Sequence, residues 1–199
     1  MPLCMHDPSP PEQDPALREH FSRILAAAQA GGEWAWRELY GTTAPLLTRY
    51  LRARGVPEVD DVVGETFIRV VRNIDRFEGD EAGFRTWIFT IARNLVVDDV
   101  RRRARHPSDP ATTEALALVG PTGDTEDDAM RSLDDTHVAA VLGGLSADQR
   151  DVLLLRILGG LTIAEIGQVL GKREGAVKML QARGIAAIRK EISAGAVTL

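Results

Sequence analysis

The sequence predicts an all-α protein made of two small helical domains joined by a flexible acidic linker. Apolar residues recur at three- and four-residue spacing along most of the 199-residue chain, which is the periodicity of amphipathic helices. No segment shows the sustained alternation of apolar and polar residues that marks a half-buried strand. The charged residues fall into blocks, and a chain of this length suffices for one domain or two small ones.

The expected order is a disordered tail over residues 1–15, a helical domain over 16–106, a linker over 107–127 and a second helical domain over 128–194. The tail is rich in proline and acids and lacks the basic and apolar regions of a signal peptide. No apolar stretch approaches the roughly 18 residues needed to cross a bilayer, so no membrane insertion is expected.

Cysteine usage indicates a reducing compartment. Cys4 is the only cysteine, which excludes an internal disulfide and fits a cytoplasmic location. A metal site at Cys4 and His6 would lack a second pair of ligands, so the sequence predicts neither a metal nor a cofactor.

The formal net charge of −5 conceals three blocks of opposite sign. Residues 81–106 and residues 162–192 each carry +3, whereas residues 107–136 carry −7. Two basic segments around an acidic one indicate two modules that bind a polyanion, joined by a linker that repels or imitates nucleic acid.

Four helices are expected in the first domain, over about 17–30, 34–53, 58–77 and from near 84 to 105. The third should bury one apolar stripe, made of Val59, Val62, Val63, Phe67, Val70, Val71, Ile74 and Phe77. The fourth should turn Phe84, Trp87, Ile88, Ile91, Ala92 and Leu95 inward and end in the basic run "RRRAR". Arg85, Phe89, Arg93 and Asn94 fall outside that inward stripe. An exposed ring beside arginines suits single-stranded nucleic acid, although cations at a helix C-terminus also stabilise the helix dipole.

The second domain should contain helices over about 127–142, 146–158, 162–170 and 174–192. Ser146 with Gln149 and Thr162 with Glu165 each form a capping-box pattern. The last two helices, around the turn at Gly171, have the pattern of a helix-turn-helix that enters a DNA major groove. The helix after the turn presents Lys172, Arg173, Glu174, Lys178, Gln181 and Arg183. A helical hairpin with a solvated basic face is the alternative.

Catalytic patterns are missing from the sequence, so an enzyme is not expected. It contains no Gly-rich phosphate loop, no nucleophile elbow and no HExxH pair. Two acidic doublets lie at residues 60–61 and 98–99. Within each doublet the two carboxylates would point about 100° apart on a helix, so they are poorly placed to hold one metal ion.

Together these segments resemble bacterial RNA polymerase sigma factors of the sigma-70 family, in particular the two-domain extracytoplasmic-function (ECF, group IV) type. The segment "VPEVDDVVGETFIRVVRNIDRFEG" resembles region 2.2, and "FRTWIFTIARNLVVDDVRRRAR" resembles regions 2.3 and 2.4. The segment "LSADQRDVLLLRILGGLTIAEIGQVLGKREGAVKMLQARGIAAIRK" resembles region 4. The likeness covers about residues 16–105 and 128–192.

The resemblance implies a transcription initiation factor that binds core RNA polymerase, through the β′ clamp helices and the β flap, and promoter DNA. It also implies an anti-sigma factor as a partner. The residues implied for polymerase binding are Asp61, Glu65, Arg69 and Arg72. Those implied for capture of the melted −10 element are Arg85, Arg93, Asn94, Arg101, Arg102, Arg103 and Arg105. Those implied for reading the −35 duplex are Arg173, Lys178, Met179, Gln181 and Arg183.

Two rival functions belong to other classes of protein. A stand-alone helix-turn-helix regulator would bind DNA as a dimer, yet the long amphipathic helix over 58–77 has no obvious dimer seam. A helical adaptor would use its basic faces to bind protein, and it would make no salt-sensitive contact with DNA.

Overall fold

A computed structural model describes residues 15–105 and 143–193, and every regular element in these two ranges is a helix. The all-α prediction is therefore confirmed. Residues 1–14 of the predicted tail, the predicted linker and the predicted helix over 127–142 lie outside the described residues. Pro15, which was assigned to the tail, instead begins the first helix. The described residues form two helical units that pack against each other.

The first unit contains four α-helices and one 3-10 turn. They are α1 (Pro15–Gln29), α2 (Glu33–Ala53), α3 (Val59–Asn73), a 3-10 turn (Ile74–Arg76) and α4 (Glu81–Arg105). The centre of the unit is built from fully buried side chains of α2, α3 and α4, among them Leu47, Val70 and Ile88. The Gln29 side-chain amide donates to the carbonyls of Ile74 and Phe77 at 3.0 and 3.1 Å, which ties α1 to the turn after α3.

Helix α4 begins three residues before the predicted start because Asp80 caps it. The Asp80 carboxylate accepts a hydrogen bond from the Gly83 backbone N–H at 2.8 Å, satisfying a donor that the helix leaves unpaired at its first turn. The loop before α4 is correspondingly short, over residues 78–80.

The predicted inward stripe of α3 is wrong at one position. Val63, Phe67 and Val70 are buried as expected, but Val71 is 53% exposed. Thr66 takes a place in the core instead, and its hydroxyl donates to the Val62 carbonyl inside the helix. The buried face of α3 is thus narrower than the apolar pattern suggested, and it leaves apolar surface on the outside.

The second unit consists of α5 (Ala147–Ile157), α6 (Ile163–Leu170) and α7 (Glu174–Ser193). Both predicted capping boxes are confirmed, at Ser146 for α5 and at Thr162 for α6. Helix α6 ends at Gly171, whose φ of 63° is in the left-handed region that glycine adopts without steric cost. A tight turn then leads into α7, which gives the helix-turn-helix arrangement.

The two units meet along α4, which packs on α6, while the end of α2 touches α5. Phe89 was expected to be exposed, and this was wrong because it lies fully buried in that contact. Its ring meets Tyr50 edge-on at 5.3 Å, and it abuts Gly159 just after α5. Helix α4 is therefore covered on two sides, by its own unit and by the second one.

Candidate nucleic-acid and polymerase interfaces

Helix α7 presents a basic face to solvent. Arg173, Lys178 and Arg183 are exposed, Met179 is 53% exposed, and Gln181 is half-buried. Within the described ranges none of the three cations forms an ion pair. Their donors therefore remain available for phosphate oxygens and base edges.

The helix-turn-helix holds α7 in place through a close approach at Gly167. A Cβ atom at this position would lie 2.7 Å from the Lys172 carbonyl oxygen, so only glycine fits without a shift. The Lys172 ammonium reaches the Asp148 carboxylate at 2.9 Å, which ties the turn to the start of α5. Lys172 thus acts within the unit, whereas sequence reasoning had placed it on the presented face.

The arginine run at the end of α4 is exposed and partly neutralised by acids one turn earlier. Arg102 and Arg103 contact the Asp99 carboxylate at 2.7 and 2.8 Å, and Arg101 lies 3.7 Å from Asp98. Arg105 is also exposed. The four predicted arginines therefore all lie on the exposed surface at the end of α4, and their binding to DNA stays a prediction.

The remaining residues predicted for −10 binding do not share that surface. Asn94 is exposed, but Arg85 is only half-exposed and lies 4.0 Å from Glu81. The Arg93 side chain is 19% exposed and points into the contact between the two units, 3.6 Å from Asp151. In this arrangement Arg93 has little access to a nucleic acid.

A groove of about 490 Å³ lies between the end of α3 and the first half of α4. It is lined by Arg69, Asn73, Arg76, Phe77, Glu78, Trp87, Ile91 and Asn94. The Phe77 and Trp87 rings stack at 5.1 Å with their planes 16° apart. The sequence prediction placed both rings in the core. The polar and basic side chains just before Phe77 could have indicated that its ring borders an open groove.

The outer face of α3 combines charge with exposed apolar surface. Asp61, Arg69 and Arg72 are exposed, and Glu65 contacts Arg69 at 2.8 Å. The exposed apolar residues of this region belong to α2 and α3, namely Tyr40, Ile68 and Val71. A second groove beside them is lined by Glu33, Trp36, Arg37, Tyr40, Phe67 and Val71. Contiguous exposed apolar surface rimmed by charges is typical of a protein-binding site.

A buried carboxylate lies where the two units meet, and sequence reasoning missed it. Asp151 of α5 is 2% exposed, with the Arg54 guanidinium at 3.0 Å and that of Arg93 at 3.6 Å. Burial raises the pKa of Asp151 above its usual range even though both arginines act to lower it. Burial and the Asp151 charge also raise the pKa of Tyr50, whose hydroxyl accepts from Arg54 at 3.1 Å. An acid directly before the apolar run over residues 152–155 was the available signal.

The described residues contain no cluster of three or more histidine, cysteine or acidic side chains arranged to hold a metal ion. Among the same residues, no helix combines the length and apolarity needed to span a bilayer.

Comparison with known proteins decides what this arrangement is. The Sigma-70 region 2 family matches residues 39–106, and the Sigma-70 region 4 family matches residues 141–190. The ECF RNA polymerase sigma factor SigD of Mycobacterium tuberculosis is 31% identical over 88% of this chain and 85% of its own length. The chain belongs to the ECF sigma factors of the sigma-70 family.

Two further similarities agree with that family. The ECF sigma factor BldN of Streptomyces coelicolor is 34% identical over 81% of this chain, and the match spans 62% of BldN. A solved structure of CnrH in complex with the cytosolic domain of CnrY has a TM-score of 0.63 and 27% identity. It covers 87% of this chain and 97% of CnrH. The sigma factor is therefore a promoter-directing transcription initiation factor, and the stand-alone regulator is the wrong alternative.

Proposed function

We propose that this sigma factor gives core RNA polymerase its promoter specificity through three surfaces, two of which share Arg69. Helix α7 reads the −35 element as duplex, the groove and basic end of α4 capture the melted −10 strand, and the outer face of α3 binds the polymerase. The observation that carries the proposal is the presence of an exposed helix-turn-helix and an aromatic groove in one chain. A regulator that only reads duplex DNA has no need of a groove suited to unstacked bases.

Duplex reading by α7 is supported by the residues that it leaves exposed. Lys178 and Arg183 lie more than one helical turn apart on α7. This helix begins directly after the loop at Gly171, as a recognition helix does. Arginine and lysine bind guanine edges in the major groove, and exposed cations also position the helix through phosphates. Arg173, Met179 and Gln181 complete the proposed reading face.

Strand capture is supported by the stacked Phe77 and Trp87 rings and by the amide of Asn94 in the same groove. An unstacked base gains about 1–3 kcal/mol from stacking on an aromatic side chain. The exposed Arg101–Arg105 run continues along α4 and offers cations to the phosphates that follow such a base. Arg85 and Arg93 belong to this proposal only once the contact between the units has opened.

Polymerase binding is supported by the mixed character of the α3 surface. The proposed contacts with the β′ clamp helices are Asp61, Glu65, Arg69 and Arg72. The exposed Tyr40, Ile68 and Val71 would supply the apolar part of the same interface, which sequence reasoning did not predict. Contact with the β flap is proposed for the second unit.

A regulatory protein partner and a cytoplasmic location complete the proposal. The CnrH structure contains a second protein, the cytosolic domain of CnrY, and for this chain we infer a protein partner of the anti-sigma kind. None of these roles requires a catalytic group, so the factor acts without enzymatic activity of its own.

The experiment that tests the proposal is run-off transcription with purified core polymerase on a genomic promoter library, with and without the sigma factor. We expect new transcripts whose templates share two short upstream elements. Formation of a stable holoenzyme that yields no new transcripts would contradict promoter direction. If transcripts share an element near −10 but none near −35, the role assigned to α7 is wrong.

A further inference from the structure

Helix α1 supports the turn that carries one wall of the aromatic groove. The side-chain amide of Gln29, the last residue of α1, donates to the Ile74 carbonyl at 3.0 Å and to the Phe77 carbonyl at 3.1 Å. A glutamine amide has two N–H donors, so both carbonyls can be bound at once. Within the turn, the Phe77 N–H donates to the same Ile74 carbonyl at 3.0 Å. The position of the Phe77 backbone therefore depends on α1 as well as on the turn.

The Phe77 ring is held on its inner side by aromatic packing. It meets the Phe84 ring edge-on with the centroids 5.5 Å apart, and Phe84 in turn lies 5.7 Å from Phe21 of α1. A Cβ atom at Gly79 would lie 3.1 Å from the Phe77 ring, so the loop after Phe77 passes close to it. The ring has little room to turn away, because Gln29 fixes its backbone and Phe84 packs against its edge.

This support reaches the groove through residues other than Gln29. Gln29 is not among the described residues that line the groove, whereas Arg76, Phe77 and Glu78 are. Since these three are consecutive, a shift of the Phe77 carbonyl would move them together. The stack of Phe77 on Trp87, at 5.1 Å, would be disturbed by the same shift. Gln29 can thus affect a bound strand only by setting where the wall of the groove stands.

We propose that Gln29 is a positioning residue for strand capture: its amide fixes the 3-10 turn after α3 so that Phe77 and Trp87 present a preformed surface to an unstacked base. The proposal rests on the function proposed above for the groove. Binding to a preformed surface spares the cost of ordering it, so Gln29 raises the affinity for the strand without touching it. The role extends the site to α1, which lies outside residues 39–106 matched by the region 2 family.

The affinity of the holoenzyme for a single strand tests this role. It is measured by fluorescence anisotropy with a labelled strand that carries the −10 sequence found by run-off transcription. Gln29→Met keeps the length of the side chain but removes both donors. Gln29→Lys restores N–H donors at the same position. The control is Gln168→Met, the same substitution at an exposed glutamine of α6.

A double-mutant cycle with Trp87→Ala separates positioning from general stability. A residue that acts through the aromatic wall loses its effect once the wall is gone, whereas a general loosening of the unit adds to the effect of Trp87→Ala. Circular dichroism and polymerase affinity show whether each variant is folded and forms the holoenzyme. Gln29→Asn, which keeps the amide but shortens the side chain by one methylene, takes the place of Gln29→Met if the latter does not fold.

We expect Gln29→Met and Gln29→Asn to weaken strand binding several-fold, and Gln29→Lys and Gln168→Met to bind like the unaltered protein. In the Trp87→Ala background, Gln29→Met should cause little further loss. An equal loss with and without Trp87, or a loss in Gln29→Lys as large as in Gln29→Met, would overturn the proposal.

Normal strand binding by every Gln29 variant would also overturn it, and Trp87→Ala then locates the error. If Trp87→Ala binds the strand weakly, the groove captures the strand and the role of Gln29 is wrong. If Trp87→Ala binds normally as well, the error lies in the function proposed for the groove itself.

Discussion

The indole ring of Trp87 lies nearly parallel to the phenyl ring of Phe77, with the centroids 5.1 Å apart and the planes inclined by 16°. One ring follows the 3-10 turn after α3, and the other is two turns into α4. The stack therefore ties Phe77, just before the loop over residues 78–80, to helix α4, just after that loop. It also forms the wall of the groove proposed to hold an unstacked base.

Replacing Trp87 by alanine should impair promoter melting by about fivefold or more, because stacking contributes about 1–3 kcal/mol per base. Trp87→Phe should retain most of the activity, since it keeps a ring in the stack. Fluorescence of 2-aminopurine placed in the −10 element measures the melted fraction. Trp34→Ala, at a tryptophan that is 53% exposed on α2, is the control. Equal losses in Trp87→Ala and Trp34→Ala would argue against the groove.

Charge reversal on α7 should separate DNA reading from polymerase binding. Lys178→Glu should weaken binding to the −35 duplex by about tenfold or more, because a charge-assisted hydrogen bond contributes about 1.5–3 kcal/mol. If Lys178 contacts a phosphate, the slope of log affinity against log salt should fall by about 1. Holoenzyme formation should be unchanged. Lys190→Glu, near the far end of the same helix, should leave both properties intact; a joint loss of both in Lys178→Glu would refute the assignment.

Reversing two acidic charges on α3 should weaken holoenzyme formation. The double variant Asp61→Lys/Glu65→Lys breaks the Glu65–Arg69 pair and reverses two charges of the proposed clamp surface. We expect polymerase affinity, measured by fluorescence anisotropy, to fall by about tenfold or more. Glu19→Lys/Glu38→Lys makes the same total change on exposed positions of α1 and α2 and should bind normally. Normal binding by both double variants would exclude the α3 surface.

Gly167→Ala should destabilise the second unit by about 1–3 kcal/mol, the usual cost of overpacking. The added methyl group would lie 2.7 Å from the Lys172 carbonyl, a backbone atom that the turn fixes. Gly175→Ala is the matched control, since its methyl group would meet no atom within 4 Å. That control should leave stability unchanged or raise it by at most about 1 kcal/mol. Urea unfolding followed by circular dichroism compares them, and equal stabilities would refute the close approach.

Local signals predicted the helices well because caps and turns depend on adjacent residues. Ser146, Thr162 and Gly171 end or begin their helices as their types require. The helical periodicity of the sequence also predicted that the cations of α7 would be exposed. The start of α4 was missed only because the cap at Asp80 lies within a stretch that also suits a loop.

Packing between the two units was beyond the reach of periodicity. Phe89 and Arg93 lie off the stripe that faces their own core, so the pattern along α4 placed them in solvent. A helix that is covered on two sides has a second apolar face, and only the position of α6 identifies it. Val71 shows the opposite error, since it was expected in the core and is exposed. An apolar residue next to the core face of a helix can belong to a surface that binds another protein.

The acids before the arginine run carry a consequence for ionic conditions. Asp98 and Asp99 already neutralise part of the charge of Arg101, Arg102 and Arg103, so these side chains carry fewer loosely held solution anions than bare cations would. A phosphate arriving here displaces a carboxylate of the same helix, and the displaced carboxylate stays attached to the protein. Strand binding at the end of α4 should consequently depend less on salt than its number of arginines suggests, which would let the sigma factor hold an opened promoter across a wider range of cellular ionic strength.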